Sequence, residues 1–441
     1  MTLPFKKPGV PFPVIALLFV CLVAVMPGCA TKALTDARAY FYQGNMENAL
    51  KALEDPGPIP KRNKLLYYME KGAILHDAGL YQDSIETFLK ASALMEEQDV
   101  IRLANQSASL ISSERITEYK GEYSERLWVH TYLMMNFLLT NQFEGALVEA
   151  KQALQLLDDF PDALQEDYFT RALIGFCFEN LREWNGAYVE YKKLAKVMPN
   201  SADIAPILYR LALRLGFADD AEAYKKTMAG NGSIDTLGPR PAELVVFVGT
   251  GRIPAKITGD IVVPPAYRFS FPRYGDVKSE LAGIRSLDKT KKSMDGIAVI
   301  THAGEVAQSS LEKRRVAVIA KETARVAAKE VIAQQVDDDA GAAVGAILRI
   351  VFFALEEADT RCWQTFPRSL TLMRIPLSAG PHQIRMEVRG RSGAYQTIVL
   401  PDFSVGQGEK KFFSFRLDEN FTRLSPDNST SDPVLKISDP P

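Results

Sequence analysis

Two hydrophobic patterns divide the chain. Over residues 34–228 apolar positions recur at helical spacing, which predicts paired amphipathic helices, whereas over residues 242–423 they mostly alternate or form short runs, which predicts strands. An uncharged apolar run at 14–26 precedes both regions, and a Gly/Pro-rich stretch at 229–241 separates them as a linker. Residues 424–441 are rich in Ser, Asp and Pro, which predicts a disordered tail. We therefore expect a multidomain protein with an all-α region followed by an α+β region.

A short motif recurs five times within residues 34–228. Each copy has a small residue at an anchor position, and in the most complete copies a bulky residue follows four positions later and then Ala or Leu; the anchors are Ala49, Ser84, Ala146, Ala187 and Ala221. This motif resembles the second helix of the tetratricopeptide repeat (TPR), and two of the four intervals lie close to its period of about 34 residues. The resemblance implies a solenoid of helical hairpins. Its expected core positions are Gly72, Leu75, Ser84, Phe88, Ala91, Ala146, Ala150, Ala153, Gly175, Phe178, Trp184, Ala187, Tyr191 and Leu194.

The first residues predict an export signal. Lys6 and Lys7 precede the apolar run, which at 13 residues is shorter than the roughly 20 residues that span a bilayer. The sequence Met26-Pro27-Gly28-Cys29 that follows resembles the lipobox of bacterial lipoproteins. That resemblance implies removal of residues 1–28, lipidation of Cys29 and a short tether at 29–33; because Ala30 rather than Asp follows the Cys, it also implies the periplasmic leaflet of the outer membrane. The alternative is an ordinary secretion signal with an accidental Cys.

Two further segments carry a resemblance to a family. Tyr119–Arg126 (YKGEYSER) and Ala358–Trp363 (ADTRCW) are similar to segments of a group of uncharacterised bacterial TPR lipoproteins of the cell envelope. The group has no established activity, so the resemblance implies an architecture and no chemistry.

The first helix of each hairpin leaves several apolar positions outside the repeat core. These positions form a candidate partner-binding groove, consisting of Leu66, Met69, Trp128, Met135, Phe169 and Phe176. One interpretation is a groove that receives a helix or an extended peptide of a partner protein. The other is that an inserted helix or the second domain covers these residues. The sequence leaves both open.

The second region, residues 242–423, is predicted to be an α+β domain with a small antiparallel sheet or sandwich. Two helices are expected inside it, over about 305–335 and 340–358. Asp337, Asp338 and Asp339 precede the second of these helices, where acidic residues cap an N-terminus and complement the helix dipole.

Composition and motifs narrow the possible functions. A chain that is 47% hydrophobic and 24% charged, with a net charge of −2, is neither wholly disordered nor a typical nucleic-acid binder. It lacks a P-loop, a GxSxG elbow, an HExxH helix and a CxxC pair, so no cofactor, metal site or catalytic residue is predicted. Whether Cys177 and Cys362 pair is left open.

These observations favour a non-enzymatic function. We expect a lipid-anchored envelope scaffold or adaptor that binds other envelope proteins through the TPR groove and through the C-terminal domain. The alternative is a periplasmic hydrolase-type enzyme with its site near His302, which lies beside Gly304 and Glu305 at a strand-to-helix junction.

Overall fold

The fold is that of a computed structural model, which describes residues 29–54, 56–104, 118–228, 242–263, 267–354 and 358–424. The expected signal peptide at 1–28, the linker at 229–241 and the tail from 425 onward lie outside the described residues.

The first part of the described chain consists of antiparallel helical hairpins. Successive hairpins pair α1 with α2, α3 with α4, α5 with α6, α8 with α9 and α10 with α11, and neighbouring hairpins pack on each other as in a solenoid. The helices are α1 (Cys29–Tyr42), α2 (Met46–Glu54), α3 (Lys64–Asp77), α4 (Tyr81–Ala104), α5 (Tyr123–Leu139), α6 (Phe143–Asp159), the short α7 (Pro161–Leu164), α8 (Tyr168–Asn180), α9 (Trp184–Val197), α10 (Ala205–Leu215) and α11 (Ala218–Met228). Residues 29–33, expected to be a tether, are the first residues of α1.

Small residues allow the paired helices to approach closely. A Cβ atom added at Gly72 of α3 would lie 2.7 Å from the ring of Phe88 in α4, and one added at Gly175 of α8 would lie 3.0 Å from the ring of Tyr191 in α9. All five anchor residues are buried. The expected core positions are buried too, except Trp184, which is half-buried with the Arg214 guanidinium 4.2 Å from its ring centroid.

The described residues of the second part form four small sheets. Its central sheet has the strand order β11-β1-β6-β5, in which β11 runs parallel to β1 and the other pairs are antiparallel. The strands are β1 (Ala242–Thr250), β2 (Lys256–Val263), β3 (Tyr267–Tyr274), β4 (Leu281–Leu287), β5 (Ile297–His302), β6 (Ser369–Leu377), β7 (Gly380–His382), β8 (Arg385–Gly390), β9 (Tyr395–Val399), β10 (Phe403–Val405) and β11 (Lys410–Leu417). The expected antiparallel sheet is therefore mixed, because the last strand returns to lie beside the first.

The central sheet is the middle layer of three. Its residues Leu244, Val246 and Ile375 pack with Ile284 and Met386 of the antiparallel sheet β4-β8-β9, which gives a sandwich. Since side chains alternate across a strand, the neighbouring residues of β1 and β6 point to the opposite face, toward the helices.

Two helices cross from β5 to β6. Helix α12 (Ala303–Ala340) is followed directly by α13 (Ala342–Ala354), which folds back along it. The chain reverses at Gly341, whose φ of 92° favours glycine. The expected cap at Asp337–Asp339 is wrong, because these residues form the last turn of α12, and the Asp337 carboxylate pairs with Arg349 of α13 at 2.8 Å.

Candidate functional site

The candidate groove is filled by the chain's own C-terminal sheet. Its six residues, Leu66, Met69, Trp128, Met135, Phe169 and Phe176, are each at most 4% exposed. They belong to one hydrophobic cluster that also contains Val245 and Phe247 of β1 and Leu370 and Leu372 of β6. The interpretation of an open peptide groove is therefore corrected. The apolar surface of the first helices is an intramolecular interface.

Aromatic contacts fix this interface. The Trp128 ring stacks on Phe366 with a centroid distance of 3.9 Å, and its Nε1 donates a hydrogen bond of 2.8 Å to Asp167 Oδ2. The Phe169 backbone N–H donates to Thr301 Oγ1 of β5 at 2.7 Å. The ring of Phe176 lies edge-on to Phe412 of β11. Directional contacts of this kind allow one docking position rather than a loose apolar association.

A buried carboxylate on α3, that of Glu70, binds the segment before β6. Glu70 is fully buried and accepts hydrogen bonds from Arg38 Nε at 2.8 Å, from the backbone N–H of Gln364 at 2.8 Å and from Thr365 Oγ1 at 2.6 Å. Although burial opposes ionisation of Arg38, the Glu70 carboxylate beside it raises the pKa of the guanidinium. Charge-assisted hydrogen bonds to backbone N–H groups tie this segment to the repeats.

A second ionic cluster lies at the start of α5. Glu122 pairs with Lys256 Nζ of β2 at 2.6 Å and with Arg314 of α12. Burial opposes ionisation of Glu122, but the two cations lower its pKa to about 2. Glu125, one turn later, accepts from the Trp363 backbone N–H at 2.8 Å, and its pKa is raised by burial.

A third cluster surrounds Arg374 on β6. Its guanidinium bridges Glu179 of α8 at 2.7 Å and Glu243 of β1 at 2.6 Å, and it donates to the Tyr191 hydroxyl at 2.9 Å. Although burial opposes ionisation of Glu179, Arg374 lowers the pKa of that carboxyl. All three clusters therefore join repeat residues to residues of the C-terminal part.

A series of hydrogen-bonded side chains at this interface, Asn136–His76–Ser414, has the amide–imidazole–hydroxyl order of a catalytic triad. Ser84 Oγ donates to the Gly72 carbonyl at 2.7 Å, so it accepts from Asn136 Nδ2 at 2.9 Å, and Asn136 Oδ1 faces His76 Nδ1 at 2.6 Å. His76 Nδ1 therefore carries the proton, and Nε2 accepts from Ser414 Oγ at 2.8 Å.

The chemistry of these hydrogen-bonded side chains around His76 does not favour catalysis. Burial lowers the pKa of His76 to about 4, which makes the imidazole a weak general base near neutral pH. The imidazole is 3% exposed, and Ser414 lies within the β11–β1 ladder opposite Phe247. The arrangement instead joins α3 and α5 to the last strand. Beside it, burial raises the pKa of Asp77 to about 7, although the Arg416 cation opposes the shift.

His302, the acid/base candidate of the enzyme alternative, lies at the end of β5. Its Nδ1 is 3.1 Å from Ser369 Oγ, which in turn is 2.7 Å from Ser279 Oγ, and burial lowers the pKa of the imidazole. Glu305 acts on it electrostatically, but no described hydrogen bond joins the two. The surroundings of His302 are those of a hydrogen-bonded sheet edge.

The structure also bears on the cysteines, on possible metal ligands and on membrane-spanning helices. Cys177 and Cys362 are buried free thiols. Within the described ranges there is no group of three or more His, Cys, Asp or Glu side chains placed to hold a metal ion. In the same ranges, every helix is too short or too polar to cross a bilayer.

An open cleft of about 660 Å³ lies beside the filled surface. It is bounded by the C-terminal half of α4, the start of α5, the end of α6 and one residue of α12. Its lining residues are Ser92, Met95, Glu96, Asp99, Val100, Lys120, Gly121, Tyr123, Arg126, His130, Gln152, Gln155, Leu156, Asp159, Phe160 and Arg314.

The cleft combines an aromatic wall with charged side chains of both signs. Tyr123 and Phe160 stack with a centroid distance of 3.8 Å, and both are only half-buried. Among the described ion pairs, none involves Glu96, Lys120 or Asp159. The exposed amides of Gln152 and Gln155 add donors and acceptors. Such a lining suits a ligand with apolar side chains and both signs of charge.

The buried charges of the interface were not identified from the sequence. Glu70 and Arg374 occur in segments that are otherwise apolar, whereas Glu122 and Glu125 lie in the polar segment Tyr119–Arg126. A charged residue in an apolar segment is the only sequence signal that Glu70 and Arg374 give, and it does not identify the residue with which each pairs.

The fold defines a class: a TPR-type array of helical hairpins whose inner surface is closed by a C-terminal sheet sandwich. No protein-family model matches the chain, and no curated protein matches it. Solved structures of MamA protein are similar in part. One has 15% identity and a TM-score of 0.33, covering 48% of this chain and all of that chain. Another, MamA from Desulfovibrio magneticus, has 14% identity and a TM-score of 0.32, covering 47% of this chain and 94% of its own. Similarity at this level transfers no function.

Proposed function

We propose that this protein is a lipid-anchored scaffold of the bacterial cell envelope that binds a partner protein through the cleft between α4, α5 and α6. The observation that carries the proposal is the contrast between two surfaces. The inner surface of the repeats is covered by the chain's own sheet, whereas the cleft is open and its lining includes Glu96, Lys120 and Asp159, which take part in none of the described ion pairs.

The chemistry of the cleft favours a peptide segment as its ligand. An extended backbone offers alternating N–H and C=O groups, which the amides of Gln152 and Gln155 can pair with. Glu96 and Asp159 attract a basic side chain, and Lys120 attracts an acidic one. The Tyr123–Phe160 wall offers apolar area to a third side chain. Buried aromatic anchors surrounded by polar contacts are the usual basis of such recognition.

Anchoring is proposed from the sequence around Cys29. Two or three acyl chains on its thiol and amine would hold the protein at the membrane, since each buried methylene contributes about 0.8 kcal/mol. The residue after it, Ala30, favours the outer membrane. Cys29→Ser, or treatment with globomycin, is expected to block removal of residues 1–28, so that a precursor larger than the mature protein accumulates. Unchanged processing under both conditions would contradict the anchor.

The cleft is tested by site-specific photo-crosslinking in cells. A photoreactive residue at Val100, which is 68% exposed on the cleft rim, is expected to give a discrete adduct with an envelope protein. The matched control is Val148 on α6, which is 57% exposed and does not line the cleft.

A charge exchange tests specificity without changing net charge. Glu96→Lys combined with Lys120→Glu should abolish the Val100 adduct while the far-UV circular dichroism stays unchanged, because both side chains are exposed. If the same adduct forms from Val148, or survives the exchange, the cleft is not the binding site.

A further inference from the structure

A buried imidazole–carboxylate pair lies in the wall of the cleft. His130 of α5 is 6% exposed and lines the cleft, and its Nδ1 is 2.7 Å from Oε2 of Glu149 on α6. Because an ionised carboxylate can only accept hydrogen bonds, Nδ1 of the neutral imidazole carries the proton and Nε2 is an acceptor. Nε2 makes no described hydrogen bond, so it can accept one from a ligand in the cleft.

The next hairpin has a matching pair at the same repeat positions. Arg171 and Glu190 follow His130 and Glu149 by 41 residues each, which is also the interval between the anchors of the two hairpins. Arg171 Nη1 lies 3.2 Å from Glu190 Oε2, and Arg171 does not line the cleft. A basic residue at this position therefore joins the two helices of its hairpin through a carboxylate. Only the pair at the cleft contains an imidazole, whose charge ordinarily changes between about pH 5 and 8.

Several charged side chains line the cleft together with His130. They are Glu96 and Asp99 of α4, Lys120 before α5, Arg126 of α5, Asp159 of α6 and Arg314 of α12. Asp99 pairs with Arg126, and Arg314 pairs with Glu122 beside the cleft. These two pairs leave little net charge.

The other charges make the lining acidic on balance. The carboxylates of Glu96, Asp159 and Glu149 lie outside those two pairs. Lys120 adds an ammonium, so negative charge predominates in the described lining while His130 is neutral. Such a lining attracts a basic side chain and disfavours an acidic one.

We infer that His130 selects the ligand of the cleft: the ligand presents a basic side chain that donates a hydrogen bond to Nε2 of the neutral imidazole, and protonation of His130 releases it. The inference rests on the proposed function, because the ligand is the peptide segment of the partner protein. On protonation Nε2 becomes a donor and can no longer accept, and the imidazolium repels the basic side chain. Nδ1 still donates to Glu149, so the hairpin keeps its fold.

The pH dependence of the Val100 adduct tests this selection. Permeabilised cells that carry the photoreactive residue at Val100 are irradiated in buffers of about pH 7.5 and about pH 5.5, between which an imidazole changes its charge. We expect about tenfold more adduct at the higher pH, because a buried hydrogen-bonding group left without its partner typically lowers affinity by about that factor.

His130→Arg imitates the protonated state at every pH. Its guanidinium is always charged and offers no acceptor, so the variant should give about tenfold less adduct than the parent at about pH 7.5 and no further loss at about pH 5.5. Its far-UV circular dichroism should match the parent, because the pair of Arg171 with Glu190 shows that this position accommodates an arginine.

Arg171→His is the matched control. It places the same imidazole–carboxylate pair in the next hairpin, away from the cleft, so the ratio of adduct at the two pH values should equal that of the parent. The charge of the ligand is tested by competition at about pH 7.5. The peptide pentalysine should reduce the Val100 adduct, whereas pentaglutamate at the same concentration should not.

The outcomes separate this inference from the proposed function. Equal adduct at both pH values in the parent would overturn the inference and leave the cleft as the binding site, and so would a parent-level adduct in the folded His130→Arg variant. Competition by pentaglutamate instead of pentalysine, or a pH ratio altered by Arg171→His, would overturn it as well. If the parent forms no Val100 adduct at either pH, the proposed function fails and the inference fails with it. If His130→Arg does not fold, the pH ratios of the parent and of Arg171→His decide.

Discussion

Replacing Trp128 tests whether the inner surface of the repeats is core. The side chain is fully buried, stacks on Phe366 at 3.9 Å and donates to Asp167 at 2.8 Å. Truncating a buried ring to Ala costs about 3–5 kcal/mol of unfolding free energy. Asp167 Oδ2 also loses its described donor, which adds about 1–3 kcal/mol. Trp128→Ala is therefore expected to be among the most damaging single substitutions in the protein.

The assay is urea unfolding followed by both far-UV circular dichroism and tryptophan fluorescence. Trp128 contacts both the repeats, at Asp167, and the segment before β6, at Phe366, so both signals should move together to a lower midpoint. Trp128→Phe is the control: it keeps a ring against Phe366 and loses the hydrogen bond, so the loss should be nearer about 1–3 kcal/mol. A loss below about 1 kcal/mol for Trp128→Ala would refute the reasoning, because it would place the indole on an open surface.

Three further predictions follow from the same interface and from the repeats. Glu122→Gln leaves Lys256 buried without its carboxylate and should cost about 3–5 kcal/mol in denaturant unfolding. His76, with its pKa lowered to about 4, binds protons more readily when unfolded, whereas Asp77, with its pKa raised to about 7, binds them more readily when folded. Relative to the parent, stability measured from pH 4 to 6.5 should therefore rise more steeply with pH in Asp77→Asn and less steeply in His76→Gln. Gly72→Ala places a Cβ 2.7 Å from the Phe88 ring and should lower stability in thermal melts by about 1–3 kcal/mol.

Matched control variants distinguish these effects from a general sensitivity of the protein to substitution. Lys151 forms an exposed pair with Glu183 at 4.0 Å, so Lys151→Gln should change stability by at most about 1 kcal/mol. Gly283 has no atom within 4 Å of an added Cβ, so Gly283→Ala should be within about 0.5 kcal/mol of the parent. Equal losses in a variant and its control would contradict the corresponding mechanism. Identical pH profiles for Asp77→Asn and His76→Gln would contradict the opposed titrations.

The repeat positions were predictable because their signal is local. Gly72 and Phe88 belong to one hairpin, and the requirement for a small residue against a ring repeats along the chain. The strand runs around β1 and β6 were predictable for the same reason, since alternation or continuous apolarity is read within a few residues.

The closed groove was not predictable because its partner is distant in sequence. The apolar character of Trp128 and Phe176 is the same whether a foreign peptide or Phe366 and Phe412 cover them. The parallel pairing of β11 with β1 and the reversal of the chain at Gly341 have the same origin. In each case a contact across the fold decides between structures that the local pattern permits equally.

The parallel pairing of the last strand has a consequence for how the protein is made. A chain synthesised from its N-terminus completes the repeats first, then β1, and β11 only at residues 410–417. Until β11 arrives, Phe176 lacks Phe412, and His76 lacks its hydrogen bond to Ser414. The newly made repeats therefore expose a large apolar surface for the whole time that the second half is being synthesised. A chain that stops before residue 410 lacks β11, so part of this apolar surface stays exposed and is a target for chaperones and proteases.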